Sequence, residues 1–118
     1  MWMLCYHKTM DKHIAEQVNL VRDIIVGVLP VEKIFLFGSH AYGTPANDSD
    51  VDLYVVMKDD APYRDLDAMD KITEAVWGKK LISTDILVAK KSRFNYRSTG
   101  PTLEREISQR GIVIYDCA

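Results

Sequence analysis

The chain has 118 residues, 47% apolar and 27% charged, with a formal net charge of −2 and a pI near 5.9. That size and composition fit one globular domain over 1–118, with a core built without disulfides or a structural metal. No apolar run nears the ~20 residues of a membrane span, and the slight acidity argues against broad electrostatic binding of nucleic acid.

The first ten residues, MWMLCYHKTM, carry no basic leader and too short an apolar stretch for a signal peptide. We read them as a poorly ordered or accessory segment of an intracellular, cytoplasmic protein. Cys5 and Cys117 lie near opposite ends of the chain. In that compartment they read as free thiols. With His7 and His13 they match no structural zinc spacing.

Residues 11–29 predict a helix. Ile14, Val18, Val21, Ile25 and Val28 form one apolar stripe, Asp11 can cap the start, and Gly27 and Pro30 mark the end. Lys33 to Phe37 reads as a buried strand. The turn-rich stretch 38–49, GSHAYGTPANDS, follows, and its residues 39–42 are expected to form a short helix. Residues 50–57, DVDLYVVM, read as a second strand, and 59–63 as a turn. A helix is expected over 64–78, with Leu66, Met69, Ile72 and Val76 on one face. Residues 81–88, LISTDILV, read as a third strand. A helix over 102–110, stopped by Gly111, and a short strand at 112–115 complete the chain. The order predicts an α+β fold, a mixed sheet with packed helices.

The chemistry starts at Asp50 and Asp52. Side chains two apart on a strand share a face, with Cα atoms about 6.6 Å apart. Asp is a poor strand former, so two on one face need a cause. A solvated strand end is sufficient cause for the pair alone. Asp85 adds weight, because it interrupts an apolar run where an unpaired charge is costly. On a neighbouring strand its carboxylate would sit about 4.8 Å from the pair. Each pair of carboxylates at that separation repels by on the order of 3 kcal/mol at an effective dielectric of 20. A divalent cation removes that cost, and Mg²⁺ prefers carboxylate and phosphate oxygens. Ion pairing of Asp85 with a nearby lysine would also account for it.

Gly38-Ser39 directly follows a predicted buried strand. Glycine there lets a ligand approach the backbone, and Ser39 offers a hydroxyl and an N–H to phosphate. An ordinary strand-to-helix turn has the same residues. Thr44-Pro45 stands where a P-loop would carry Lys-Ser or Lys-Thr, and no GxGxxG occurs. The dense basic stretch Lys90, Lys91, Arg93, Arg97 is either a phosphate contact or a solvated face.

Taken together, Gly38-Ser39, ten residues and Asp50-Val51-Asp52 resemble the GS-x10-DxD signature of the DNA polymerase beta–like nucleotidyltransferase superfamily. The stretch GSHAYGTPANDSDVDLYVV is similar to its minimal nucleotidyltransferase (MNT) branch, TDILV falls where that branch carries a third carboxylate, and LEREISQRGIVIY resembles its closing segment. The resemblance spans about 14–115. It implies that Gly38 and Ser39 hold the terminal phosphates of a nucleoside triphosphate. Asp50, Asp52 and Asp85 would bind two Mg²⁺ ions, and Asp85 would help activate an acceptor hydroxyl. The implied reaction is adenylyl transfer from ATP. His40 and Tyr42 stand where many MNT proteins have loop arginines, which offer phosphate a planar, permanent charge.

MNT proteins often accompany a HEPN toxin as antitoxin, and some add AMP to a toxin tyrosine. The resemblance therefore implies a HEPN-type partner protein. The alternative is a catalytically weak binding module that neutralises its partner by contact. Trp2, Trp77 and Tyr63 could form an association surface in a homo- or hetero-oligomer, or could serve core packing.

Overall fold

The computed structural model describes residues 12–42, 50–79 and 82–117. Their elements are α1 (Lys12–Val28), β1 (Val31–Phe37), α2 (Ser39–Tyr42), β2 (Val51–Met57), α3 (Asp65–Val76), β3 (Thr84–Lys90), α4 (Lys91–Arg97), α5 (Leu103–Arg110) and β4 (Ile112–Asp116). Asp11, expected to cap α1, lies outside the described residues, as do Trp2, Cys5 and His7.

The four strands form one mixed sheet in the order β3-β2-β1-β4. β1 runs antiparallel to β2 and β4, whereas β2 and β3 are parallel, as a strand–helix–strand unit requires. Among the described residues β3 is therefore an edge strand, and β2 is flanked on both sides.

Strict alternation along β2 divides the core. Val51, Leu53, Val55 and Met57 face one layer with Val18, Val21 and Ile25 of α1 and Ala68, Ile72 and Val76 of α3. Tyr54 and Val56 face the other, with Phe35, Phe94 of α4 and Ile107 of α5. The Phe94 ring stacks on Phe35 at 5.4 Å and meets Tyr54 edge-on at 5.2 Å.

Two elements differ from expectation. Leu66 is 73% exposed and does not share the buried stripe of Ile72 and Val76. It lies in the first turn of α3, beside Lys90 and Arg93 rather than over the sheet. The basic stretch forms α4 and reads mainly as a solvated, ion-paired face. Lys91 pairs with Glu32 at 3.5 Å, Arg93 with Asp65 at 3.0 Å and Arg97 with Glu104 at 3.3 Å.

A buried polar contact pins the second layer. The Tyr54 hydroxyl donates to Glu104 Oε2 at 2.9 Å, the carboxylate that also accepts from Arg97. Burial pushes the Tyr54 phenol well above its ordinary value, and the Glu104 hydrogen bond and charge add to it. Burial pushes Glu104 upward too. The hydrogen bonds from its own backbone N–H, Tyr54 and Arg97, with the Arg97 charge, outweigh that and hold it below the ordinary carboxylate range. Among the described residues, no helix is long and apolar enough to cross a membrane.

Candidate active site

The sheet topology gathers the sequence-marked residues at one end. β1 ends at Phe37, whose register partner is Asp52. Gly38 and Ser39 follow that end, while Asp50 immediately precedes β2. Because β2 and β3 are parallel, both begin at the same end, and Asp52 pairs in register with Asp85. In-register neighbours project to the same face, so their carboxylates point out together on the Tyr54 side of the sheet, beyond its packed layer.

Gly38 has a special role. Its φ is +76°, a region that L side chains rarely adopt. A methyl group built on it would overlap Asp52 Oδ2 and lie 3.1 Å from Asp52 Cγ. The missing side chain is therefore the space that Asp52 occupies. Ser39 then opens α2, a single helical turn closed by Ala41 N donating to Gly38 O at 3.0 Å. So short a helix has little macrodipole, and what Ser39 offers is its own N–H and hydroxyl.

Asp52 is half-buried, while Asp50 and Asp85 are exposed. The cost expected for a buried charge at Asp85 does not arise, because an edge strand leaves it in water. The register with Asp52 is the firmer link. Burial pushes the Asp52 carboxyl above its ordinary value, the charges of Asp85 and then Asp50 push it further, and His40 partly offsets them. The three carboxylates share one electrostatic field.

They do not close into a finished cage. Among the described residues, no group of three or more His, Cys, Asp or Glu side chains is set to hold a metal ion. Magnesium rarely uses such cages, taking one or two carboxylates with waters and substrate phosphates. Hard oxygen donors in a mutually repelling set fit such an ion.

The residue that sequence reasoning undervalued is His40. In the sequence it stands out only as the residue in the place of a loop arginine. It is 7% exposed, and its charge reaches Asp52. No local pattern signals this, because its burial depends on how α2 folds against the sheet.

The profile of the family "Polymerase beta, Nucleotidyltransferase" matches residues 19–117. The chain belongs to the polymerase beta nucleotidyltransferase family. Solved structures with this nucleotidyltransferase fold include a candidate nucleotidyltransferase from Sulfolobus solfataricus. It is 17% identical with a TM-score of 0.61, over 86% of this chain and 79% of that one. A mutant of the toxin–antitoxin pair MntA–HpeT is 16% identical with a TM-score of 0.51, over 83% of this chain and 72% of that one. A toxin–antitoxin structure with AMP-PNP is 17% identical with a TM-score of 0.51 over the same shares, 83% and 72%. Likeness at these identities is one of fold. No curated protein sequence matches this nucleotidyltransferase.

Proposed function

We propose that this nucleotidyltransferase moves AMP from ATP to a hydroxyl on a partner protein, a HEPN-type toxin that it serves as antitoxin. The single observation that carries the transfer chemistry is the in-register pairing of Asp52 with Asp85 beside the side-chain-free backbone of Gly38. The partner reading draws support from the two solved neighbours described as toxin–antitoxin structures, one of them with AMP-PNP.

In this reading Ser39 gives its N–H and hydroxyl to the terminal phosphates, and Gly38 keeps the backbone clear for their approach. Asp50, Asp52 and Asp85 would hold magnesium, which would supply the positive charge that two-metal chemistry uses to stabilise phosphoryl transfer. Asp85, exposed at the sheet edge, accepts the hydroxyl proton of the acceptor. The acceptor oxygen forms a bond to the α-phosphorus while the bond from that phosphorus to the bridging oxygen breaks. Pyrophosphate departs with the electron pair.

The test is to incubate the protein with Mg-ATP and its encoded neighbour and to weigh the neighbour by mass spectrometry. A gain of one or more AMP units, lost with Asp50→Asn, supports the reading. Tight binding with no mass change, equal for Asp50→Asn, replaces it with the contact-only module.

A further inference from the structure

β3 pairs with β2 in unbroken register, from Thr84 beside Val51 to Lys90 beside Met57. Among the described residues no strand lies along its other edge. The backbone groups on that edge therefore have no ladder partner. A bulge, a proline or a central charge usually blunts such an edge. Between Ile86 and Ala89 this strand has none of the three. The edge strand on the far side of the sheet differs, because the pairing of β4 with β1 skips Ile114.

The helix beside that edge carries apolar side chains that the core does not use. Leu66, Met69, Thr73 and Trp77, spaced by three, four and four, form one stripe along α3 and just past its end. Leu66 is 73% exposed and Trp77 81%. Both stand on the seam between α3 and β3, Trp77 at the Thr84 end and Leu66 at the Lys90 end. Leu87, at the midpoint of β3, is exposed on the opposite face of the sheet. Large exposed apolar side chains at both ends and at the middle of one unpaired edge mark an association surface.

The polarity of the strand selects the occupant. β3 begins with Asp85 near its start, is uncharged from Ile86 to Ala89, and ends in Lys90, with Lys91 next. An antiparallel second copy sets the acidic start of each strand beside the basic end of the other. A parallel copy would set like charges together. Pairing about a two-fold axis at Leu87 keeps every side chain on its own face. Leu87 then meets Leu87 of the second copy, Ile86 meets Val88, and Trp77 arrives at the Leu66 end. The surface is thus self-complementary, as a two-fold interface must be.

We propose that two copies of this chain pair antiparallel along their β3 edges, joining two four-stranded sheets into one. The pairing leaves both faces of the sheet open and does not depend on the transferase reading. It sets the two Asp85 residues four residues apart along the strands and one strand across, a Cα separation of about 14 Å. Both carboxylate sets then open on the same side of the dimer.

Sedimentation equilibrium of the full chain tests the pairing. A mass of twice 13.5 kDa is expected at high micromolar concentration. Leu87→Lys sets two ammonium groups face to face at the axis and should weaken dimerisation at least tenfold. Trp77→Ala should weaken it severalfold. Tyr96→Ser, at an equally exposed position on α4, should leave it unchanged. All three positions are exposed, so far-UV circular dichroism should not change. A second measurement fixes the register. In a Cys5→Ser, Cys117→Ser background, Leu87→Cys should give an interchain disulfide on mild oxidation, because directly opposed Cβ atoms lie about 4.5–5.5 Å apart. Tyr96→Cys should give none. A monomer at every concentration would overturn the proposal, leaving the edge to a strand of another protein. A dimer indifferent to Leu87→Lys, or one that Leu87→Cys fails to cross-link, would overturn it in favour of another face.

Discussion

The carboxylate of Asp52 fills the space in which Gly38 would carry a side chain. A strand end and a neighbouring strand start are thereby fitted together, and the fit places a carboxylate oxygen directly against a backbone that carries no side chain. Gly38→Ala tests this contact. The positive φ alone costs an L residue about 1–2 kcal/mol, and the methyl must also displace Asp52. We expect a loss of roughly 2 kcal/mol in stability by urea denaturation. Mg-ATP affinity should fall at least tenfold by equilibrium dialysis, while far-UV circular dichroism stays unchanged.

Removing one of the mutually repelling charges should stabilise the metal-free protein. Asp52→Asn is expected to raise Tm by roughly 2–5 °C at pH 7, the shift produced by about 0.5–1 kcal/mol in a domain of this size. The pH dependence carries the sign. The folded-state pKa of Asp52 is raised above the ordinary 3.8, so its stabilising protonated form is fully present below that value. Stability falls as pH rises through the raised value. The Asn variant should lack this decline, and Mg²⁺ should restore less of its Tm than in the parent.

The Tyr54–Glu104 hydrogen bond makes the opposite pair of predictions. Glu104 is depressed below 4.5, so its stabilisation is present above that value and is lost as pH falls through the lower folded value. Tyr54 is raised above 10, so its contribution disappears as pH rises through the raised value. Tyr54→Phe leaves a buried carboxylate with one partner fewer and should cost about 1.5–2 kcal/mol in chemical denaturation. Adding Glu104→Gln should cost less than the sum of the two single changes, since the two share one contact.

Gly111→Ala should destabilise through packing rather than backbone strain, because the φ of Gly111 is −64°. Its new Cβ would lie 2.6 Å from the Ile107 carbonyl oxygen and 3.3 Å from the Phe35 ring. Backbone on one side and a core ring on the other leave little room, so a loss of roughly 1–3 kcal/mol is expected from thermal unfolding.

Much of this was legible from local pattern. The apolar stripe through Val18, Val21 and Ile25 and the alternation of Val51, Leu53 and Val55 are periodicities that only helix and strand satisfy. Both end in the core. Gly38-Ser39 and Asp50-Val51-Asp52 stand out as local motifs, and the sheet topology brings them together at one end. Long-range packing was less legible. Leu66 fits the helical period of α3, yet periodicity cannot tell whether a neighbour covers the first turn. α4 spans only seven residues with Phe94 alone buried, too short for a periodic signal. Asp85 drew notice as a charge in an apolar run, but its position follows from a pairing register that no local pattern encodes. Glu104 did leave a trace: it sits three residues before Ile107 and so shares that residue's buried face.

In the proposed function, the carboxylates of Asp50, Asp52 and Asp85 and the Gly38-Ser39 backbone form one site for a metal-bound triphosphate. Isothermal titration calorimetry with ATP, with and without Mg²⁺, tests it most directly. Saturable binding is expected that needs Mg²⁺, weakens at least tenfold with Asp52→Asn, and persists when the surface ion-pair residue Arg93 is changed to Ala. Triphosphate binding that is indifferent to Mg²⁺ and to Asp52, or no binding at all, would contradict it.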